Sequence, residues 1–249
     1  MQNLQRILHA LRHEPVDRVP VTVFLTSVTV ELMEHSGYGW DQAHYNVDRL
    51  VELAAAHNYL GLETLKLPFD MTVEAEALGG KIDTGTCDTL PQLVTHLYKE
   101  PEELTFDRDL LCKGRIPVVL KAIATAKKRY DGEAAVVSSM ECLTRLCIMY
   151  AGEQAAAGCD AVLIGEAASS GDLISSETDV AKACEILKGK TALVGYVDTM
   201  ITLLHGTPED VYKSAKECIH AGVDLLCAGP AHIPTENVVA MIQAAKSKI

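Results

Sequence analysis

Nowhere in this 249-residue chain does an apolar stretch approach the roughly 18 to 20 residues that a membrane span requires. Nor is there a basic run with aromatics between its charges, and 22 basic residues face 34 acidic ones for a net charge of -12. Both features argue against a phosphate-backbone partner, so nucleic acid is not expected. The chain also has no C-x-x-C pair. Its eight cysteines (87, 112, 142, 147, 159, 184, 218 and 227) are scattered, several on apolar helical faces, and most read as reduced residues of the core. No linker, low-complexity tract or shift in composition divides the chain. One domain is expected, in the cytoplasm.

What is present is a hydrophobic fraction of 48% against 22% charged, enough for a large core without disulfides. At the N-terminus, "MQNLQRILHALRHEPVDRVPV" puts Leu4, Ile7, Leu8 and Leu11 at helical spacing, with Arg6, Arg12 and His13 between them. That describes an amphipathic surface helix ended by Pro15, and not a signal peptide. A strand, "VPVTVFL", follows, then a helix in "YNVDRLVELAAAHNYLG" stopped by Gly61, then the strand "ETLKLPF". "MTVEAEALGG" reads as one or two helical turns, and "KIDTGTCDT" as an exposed strand or hairpin arm.

From Ile116 the alternation is regular: helix "IPVVLKAIATAKKRY", strand "AAVVSSM", helix "CLTRLCIMYAGEQAAAG", strand "DAVLIGE", helix "DVAKACEILKG" and strand "TALVGYVD". Helix "PEDVYKSAKECIHAG", strand "DLLCAG" and helix "TENVVAMIQAAKSK" complete it. Buried apolar strands alternating with amphipathic helices call for an α/β fold with a parallel sheet, either doubly wound or a (β/α) barrel. Six strands belong to the series, whereas a closed barrel has eight.

"RILHALRHEPVDRVPV", "TLKLPFDMTVEAEALGG", "AGCDAVLIGEAASSGDLIS", "TALVGYVD", "GTPEDVYKSAKECIHAGVDLL" and "ENVVAMIQAAK" together resemble the uroporphyrinogen decarboxylase superfamily, from Gln5 to Lys246. Within it, "TVELMEHSG" and "DMTVEAEALG" look most like the methylcobamide:coenzyme M methyltransferase branch. The resemblance implies a (β/α)8 TIM-type barrel, with about six of its eight βα units visible in this sequence and its site at the C-terminal strand ends. It also implies methyl transfer from a corrinoid (methylcobamide) on a separate carrier protein to a thiol such as coenzyme M. Zinc, held in that branch by a His-x-Cys pair after the fifth strand and a Cys after the eighth, would keep the thiol ionised.

The chain departs from that pattern. No His-x-Cys occurs in it, and Pro230 stands six residues after Asp224, where the last zinc cysteine is expected. The family's fifth and sixth strands would lie between "SSGDLIS" and "SETDVAKACEILKG", and a second shortening falls near Met140–Glu141. Residues 1–249 are therefore expected to be a single barrel domain lacking internal segments near 140–141 and 174–177.

Asp70, Glu166 and Asp198 each end a strand, in "LKLPFD", "AVLIGE" and "LVGYVD". Each can cap the element that follows, or reach the mouth of a barrel as a catalytic acid. In the decarboxylase branch, the aspartate at the position of Asp70 binds the substrate's pyrrole N–H groups. Cys227 and His232 follow the last strand and carry atoms suited to zinc. Cys142 and Cys147 are expected in core packing. Glu74 and Glu76, two apart, do not face each other on a helix and are expected to be solvated.

Three activities fit these residues. Methyl transfer leads, because the segment "LTSVTVELMEHSG" near the first strand has none of the arginines with which the decarboxylase branch holds substrate carboxylates. Porphyrinogen decarboxylation is the second. The third is a non-catalytic corrinoid- or thiol-binding relative that has lost the metal site.

Overall fold

Apolar spacing and end caps place the elements of the chain. The computed structural model describes residues 1–23, 28–86, 89–95, 108–141, 144–165, 181, 184–185, 192–228 and 233–247. Helix α1 (Asn3–Leu11) buries Ile7 and Ala10 and is followed by β1 (Val21–Val23). Two helices that periodicity does not reveal, α2 (Val30–Ser36) and α3 (Trp40–Ala43), occupy the connection to α4 (Val47–Leu60). At seven and four residues they carry two turns of pattern or fewer, too little to register. The Asn46 side chain accepts from the Arg49 N–H to start α4, and Gly61 ends it at φ 93°, where a Cβ would be strained.

Then come β2 (Thr64–Leu67), α5 (Val73–Ala77) and the hairpin of β3 (Ile82–Asp83) with β4 (Gln92–Leu93). The regular part runs α6 (Ile116–Arg129), β5 (Ala135–Glu141), α7 (Thr144–Ala156), β6 (Ala161–Gly165) and β7 (Val194–Tyr196). It closes with α8 (Pro208–Ala221), β8 (Leu225–Ala228) and α9 (Thr235–Lys246). All six expected strands form. The expected helix in "DVAKACEILKG" and residues 174–177 lie largely or wholly outside the described residues. At Met140–Glu141, β5 continues its ladder to β6, pairing Met140 with Ile164 and Glu141 with Gly165.

The strands make two parallel three-stranded sheets, β1–β8–β7 and β2–β5–β6. A polar seam joins them. The Glu63 N–H donates to the Val21 carbonyl at 3.0 Å, and the Thr64 hydroxyl accepts from the Val23 N–H at 2.8 Å. Around this arc the order among the described strands is β6, β5, β2, β1, β8, β7.

At the foot of the seam the Glu63 carboxylate is fully buried. It accepts from the guanidinium groups of Arg6 and Arg18 and from the Val21 N–H, while the Arg6 Nε donates to Asp17 at 2.6 Å. The "RILHALRHEPVDR" motif thus ties the N-terminal segment to the bottom of the strands, the end where barrels keep stability and not catalysis.

One apolar layer packs Leu65, Leu67 and Val136 of the strands against Leu50 and Leu53 of α4 and Ile116 and Ile123 of α6. A second packs Val21, Val23 and Leu226 against Val211 and Ile219 of α8 and Met241 and Ile242 of α9. Beneath both, α1 sets Ile7 and Ala10 on Ala135 and Leu225, at the starts of β5 and β8. Among the described residues no helix is long and apolar enough to cross a membrane.

Candidate active site

The strand β2 sends Leu65 and Leu67 outward to the helices. Because strand side chains alternate, Lys66 between them faces the opposite, inner side of the wall. It is 1% exposed, and among the described residues its ammonium has no hydrogen-bond or ion-pair partner. Burial pushes its pKa down to about 8, against the opposing pull of Asp70 and Glu74.

Three residues past the end of β2, Asp70 lies at the C-terminal side of the wall and is buried. Its carboxylate accepts from both terminal nitrogens of Arg115, at 2.8 and 3.2 Å, and from the Thr72 N–H and hydroxyl, at 2.8 and 2.5 Å. Arg115, just ahead of α6, also donates through Nε to Glu76 at 2.5 Å and through Nη2 to Thr72 at 2.6 Å. Its guanidinium sits 5.5 Å from the Tyr45 ring centroid, and the Tyr45 hydroxyl donates to Glu76 at 3.1 Å.

The His44 Nε2 is 3.2 Å from the Asp70 Oδ2, with the ring stacked near Phe69. Burial would raise the Asp70 pKa, but His44 and Arg115 beside it hold the carboxyl well below the usual range. Beside this network a cavity of about 310 Å³ opens between the β2–α5 connection and the hairpin, lined by Asp70, Met71, Thr72, Ala75 and residues 90–93. Asp70 contributes to that wall while its carboxylate, 1% exposed, turns to Arg115.

Burial pushes the His44 imidazole down to about 4, with Asp70 opposing and Arg115 reinforcing. Its folded pKa is below the unfolded value near 6.5, so the unfolded chain binds the extra proton between those limits. Stability contributed by neutral His44 is complete above pH 6.5 and is lost as the pH falls toward 4. Urea titrations at pH 7.5, 6 and 4.5 are expected to show that decline, and His44→Gln is expected to flatten it. An unchanged slope in the variant would assign the decline to other groups.

Among the described residues the remaining candidates are not brought together. The Asp198 carboxylate accepts from the Ile201 N–H at 2.5 Å and caps the short π-helix Thr199–Leu204. Cys227 is buried in β8, and its thiol donates to the Ala228 carbonyl at 3.2 Å. Glu166, His232, Cys142 and the side chain of Cys147 lie outside the described residues. No described contact joins Asp70, Asp198 and Cys227. Among the described residues no three His, Cys, Asp or Glu side chains gather as metal ligands.

Two expectations are corrected. Glu74 is 3% exposed and Glu76 is ion-paired to Arg115, so neither is solvated. The five-residue α5 lies against α6 and β5, which covers the face that spacing alone left open. Of the described cysteines, Cys112 is exposed and Cys159 half-buried, while Cys184, Cys218 and Cys227 belong to the core.

Sequence reasoning missed His44, Lys66 and Arg115. Lys66 left one signal, a lone charge inside the apolar run "TLKLPF". Arg115 and His44 left none, since each reaches Asp70 from a distant part of the chain.

A family profile described as uroporphyrinogen decarboxylase (URO-D) matches residues 2–142 and 174–248. Methylcobamide:CoM methyltransferase MtbA of Methanosarcina mazei is 28% identical, over 98% of this chain and 97% of that protein. Methylcobamide:CoM methyltransferase MtaA of Methanosarcina barkeri is 26% identical over 96% of each. The alignment to MtbA spans 329 positions, more than the 249 residues of this chain, so the relative carries internal residues that face none here. A solved methyltransferase from Methanosarcina mazei superposes with a TM-score of 0.87 at 27% identity, covering 99% of this chain and 98% of the other.

Proposed function

Because the chain belongs to the uroporphyrinogen decarboxylase family, we propose that it is a methyltransferase carrying a methyl group from a methylcobamide on a corrinoid carrier protein to a thiol of the coenzyme M type. The observation that carries this reading is the match along almost the whole chain to relatives named for that reaction. The geometry supports it through the side of the wall that holds charge: the Asp70, Arg115 and His44 network lies at the C-terminal strand ends, where barrels of this class work. The fold that goes with it is the eight-stranded barrel, of which six strands stand among the described residues, with the chain shortened relative to its relatives near 140–141 and 174–177. The length of the alignment to MtbA supports that shortening.

The chemistry is a displacement. The thiolate sulfur forms a bond to the methyl carbon, and the carbon–cobalt bond breaks with its electron pair left on the cobalt of the carrier's corrinoid. The protein's task is to hold the thiol ionised and in line while the corrinoid supplies the leaving group.

Zinc is the part that the donors do not fit. Among the described residues Cys227 already spends its thiol proton on a carbonyl, and no second and third ligand stand beside it. Cys227 and His232 are the candidate ligands, and no step is derived through a metal. The same donor set favours the second reading, a corrinoid- or thiol-binding relative without catalysis.

Single-turnover methyl transfer separates the two. Purified protein, methylcobalamin and coenzyme M are expected to give methylated thiol faster than the protein-free mixture. A rate equal to the protein-free control, with thiol still bound, would favour the non-catalytic relative. Elemental analysis after dialysis tests zinc separately.

Asp70, Glu166 and Asp198 are the candidate acids of the mouth. Asp198 allows a clean test, because Asn caps about as well as Asp. Asp198→Asn is expected to keep its melting temperature and to lose methyl transfer. Full activity in the variant would leave Asp198 as a cap alone.

A further inference from the structure

We propose that Lys66 is the anion-binding point for the tail of the acceptor thiol, holding a sulfonate or carboxylate group inside the strand wall. The proposal rests on the methyl-transfer reading for the word acceptor, and on the structure for the anion.

The position is the first argument. Lys66 lies on the inner side of β2, opposite the apolar layer formed by Leu65 and Leu67 with α4 and α6. Two residues earlier, Thr64 bonds Val23 across the seam, and Val23 is paired with Ala228. Lys66 therefore stands beyond the level of Thr22 and Cys227, toward the C-terminal strand ends.

Unspent bonding capacity is the second. An ammonium carries three donors, and a buried charge is tolerated where it is paired and hydrogen-bonded. Two of the nearby described groups are committed elsewhere. Asp70 gives its oxygens to Arg115 and Thr72, and the Thr22 hydroxyl donates to the Leu226 carbonyl at 2.9 Å. Asp70 and Glu74 both attract the Lys66 ammonium electrostatically. Arg115, the other buried cation of the cluster, gives four of its five N–H donors to Asp70, Glu76 and Thr72. Lys66 is thus the cation of the cluster with the most donors left for a ligand.

Ligand chemistry is the third. A charge-assisted bond from a buried ammonium to an anionic oxygen is of the strong kind. It would favour an acidic thiol over a neutral one of the same length, and would fix the sulfur at a set distance from the wall.

The test uses the full chain and three probes: ethanesulfonate and propionate, which carry the anion without a thiol, and 2-mercaptoethanol, which carries the thiol without an anion. In calorimetric titrations ethanesulfonate or propionate is expected to bind. Lys66→Met is expected to weaken that binding by roughly tenfold or more, and Lys66→Arg to restore part of it. A thermal melt of Lys66→Met showing a folded protein removes misfolding as the cause. The tighter of the two anions identifies the headgroup. Equal binding of both anions to wild type and Lys66→Met, or no binding to wild type, overturns the proposal.

The enzymatic arm separates this proposal from the function it rests on. Equal methyl transfer to 2-mercaptoethanesulfonate and 2-mercaptoethanol, unchanged in Lys66→Met, would remove Lys66 and leave the enzyme. Lys66-dependent anion binding with no transfer to any thiol would keep the site and remove the enzyme.

Discussion

Arg115→Met is expected to lower the unfolding free energy by roughly 3–5 kcal/mol, the usual cost of removing one partner from a buried ion pair. Among the described residues, Asp70, at 1% side-chain exposure, would be left with hydrogen bonds from Thr72 and with His44 beside it. The loss arises from the stranded carboxylate more than from the missing bonds. Asp70→Asn leaves Arg115 with Glu76 and should cost less. The double variant Asp70→Asn with Arg115→Met is expected to be destabilised by less than the sum of the two singles, because each single change already breaks the same pair. Urea denaturation of the four proteins at pH 7 measures this. Additive losses would mean that the two groups act independently and that the network is not one unit.

Lys66→Met is expected to be more stable than wild type at pH 7, with the difference closing as the pH rises. The folded Lys66 pKa near 8 is below the ordinary 10.5, so between those limits the unfolded chain holds more protons than the folded one. Burying the charged ammonium penalises wild type fully below pH 8, and the penalty is relieved between pH 8 and 10.5. At 1.36 kcal/mol per pKa unit the window is worth roughly 3 kcal/mol. The groups facing Lys66 with charge are Asp70 and Glu74, and Asp70, held well below the usual carboxylate range, does not titrate in this window. Denaturation of both proteins at pH 7, 8.5 and 10 is the measurement. A wild-type curve parallel to that of the variant would show that Lys66 is solvated or paired in solution, and would also undercut its role toward an anion.

Much of the architecture is legible in the sequence because the wall is parallel and covered. Strands such as "AVVSSM" and "AVLIG" are short apolar runs between amphipathic helices, and only a parallel sheet with helices outside buries both. Gly61 and Gly222 mark helix ends because the left-handed turn there strains any residue with a Cβ. The short elements α2, α3 and the π-helix after β7 are not legible, having too few turns for a period to emerge.

The site divides differently. Asp70 is visible in the sequence as an acid at a strand end, and its position at the C-terminal side of β2 is as expected. That its carboxylate turns to Arg115, 45 residues away, depends on α6 packing beside β2. Glu74 and Glu76 read as solvated because i, i+2 spacing describes one helix in isolation, and the covering surface comes from α6 and β5.

The sequence by itself determined the longer elements, their order, the parallel wall and the family, since periodicity, caps and motifs are local and survive without coordinates. Only the tertiary structure decided which charges are buried, which are paired, and that Lys66 is left without a partner among the described residues. Burial and pairing are properties of space between segments distant in the chain, and the desolvation that moves the pKa values of Lys66 and His44 exists only once that space is closed.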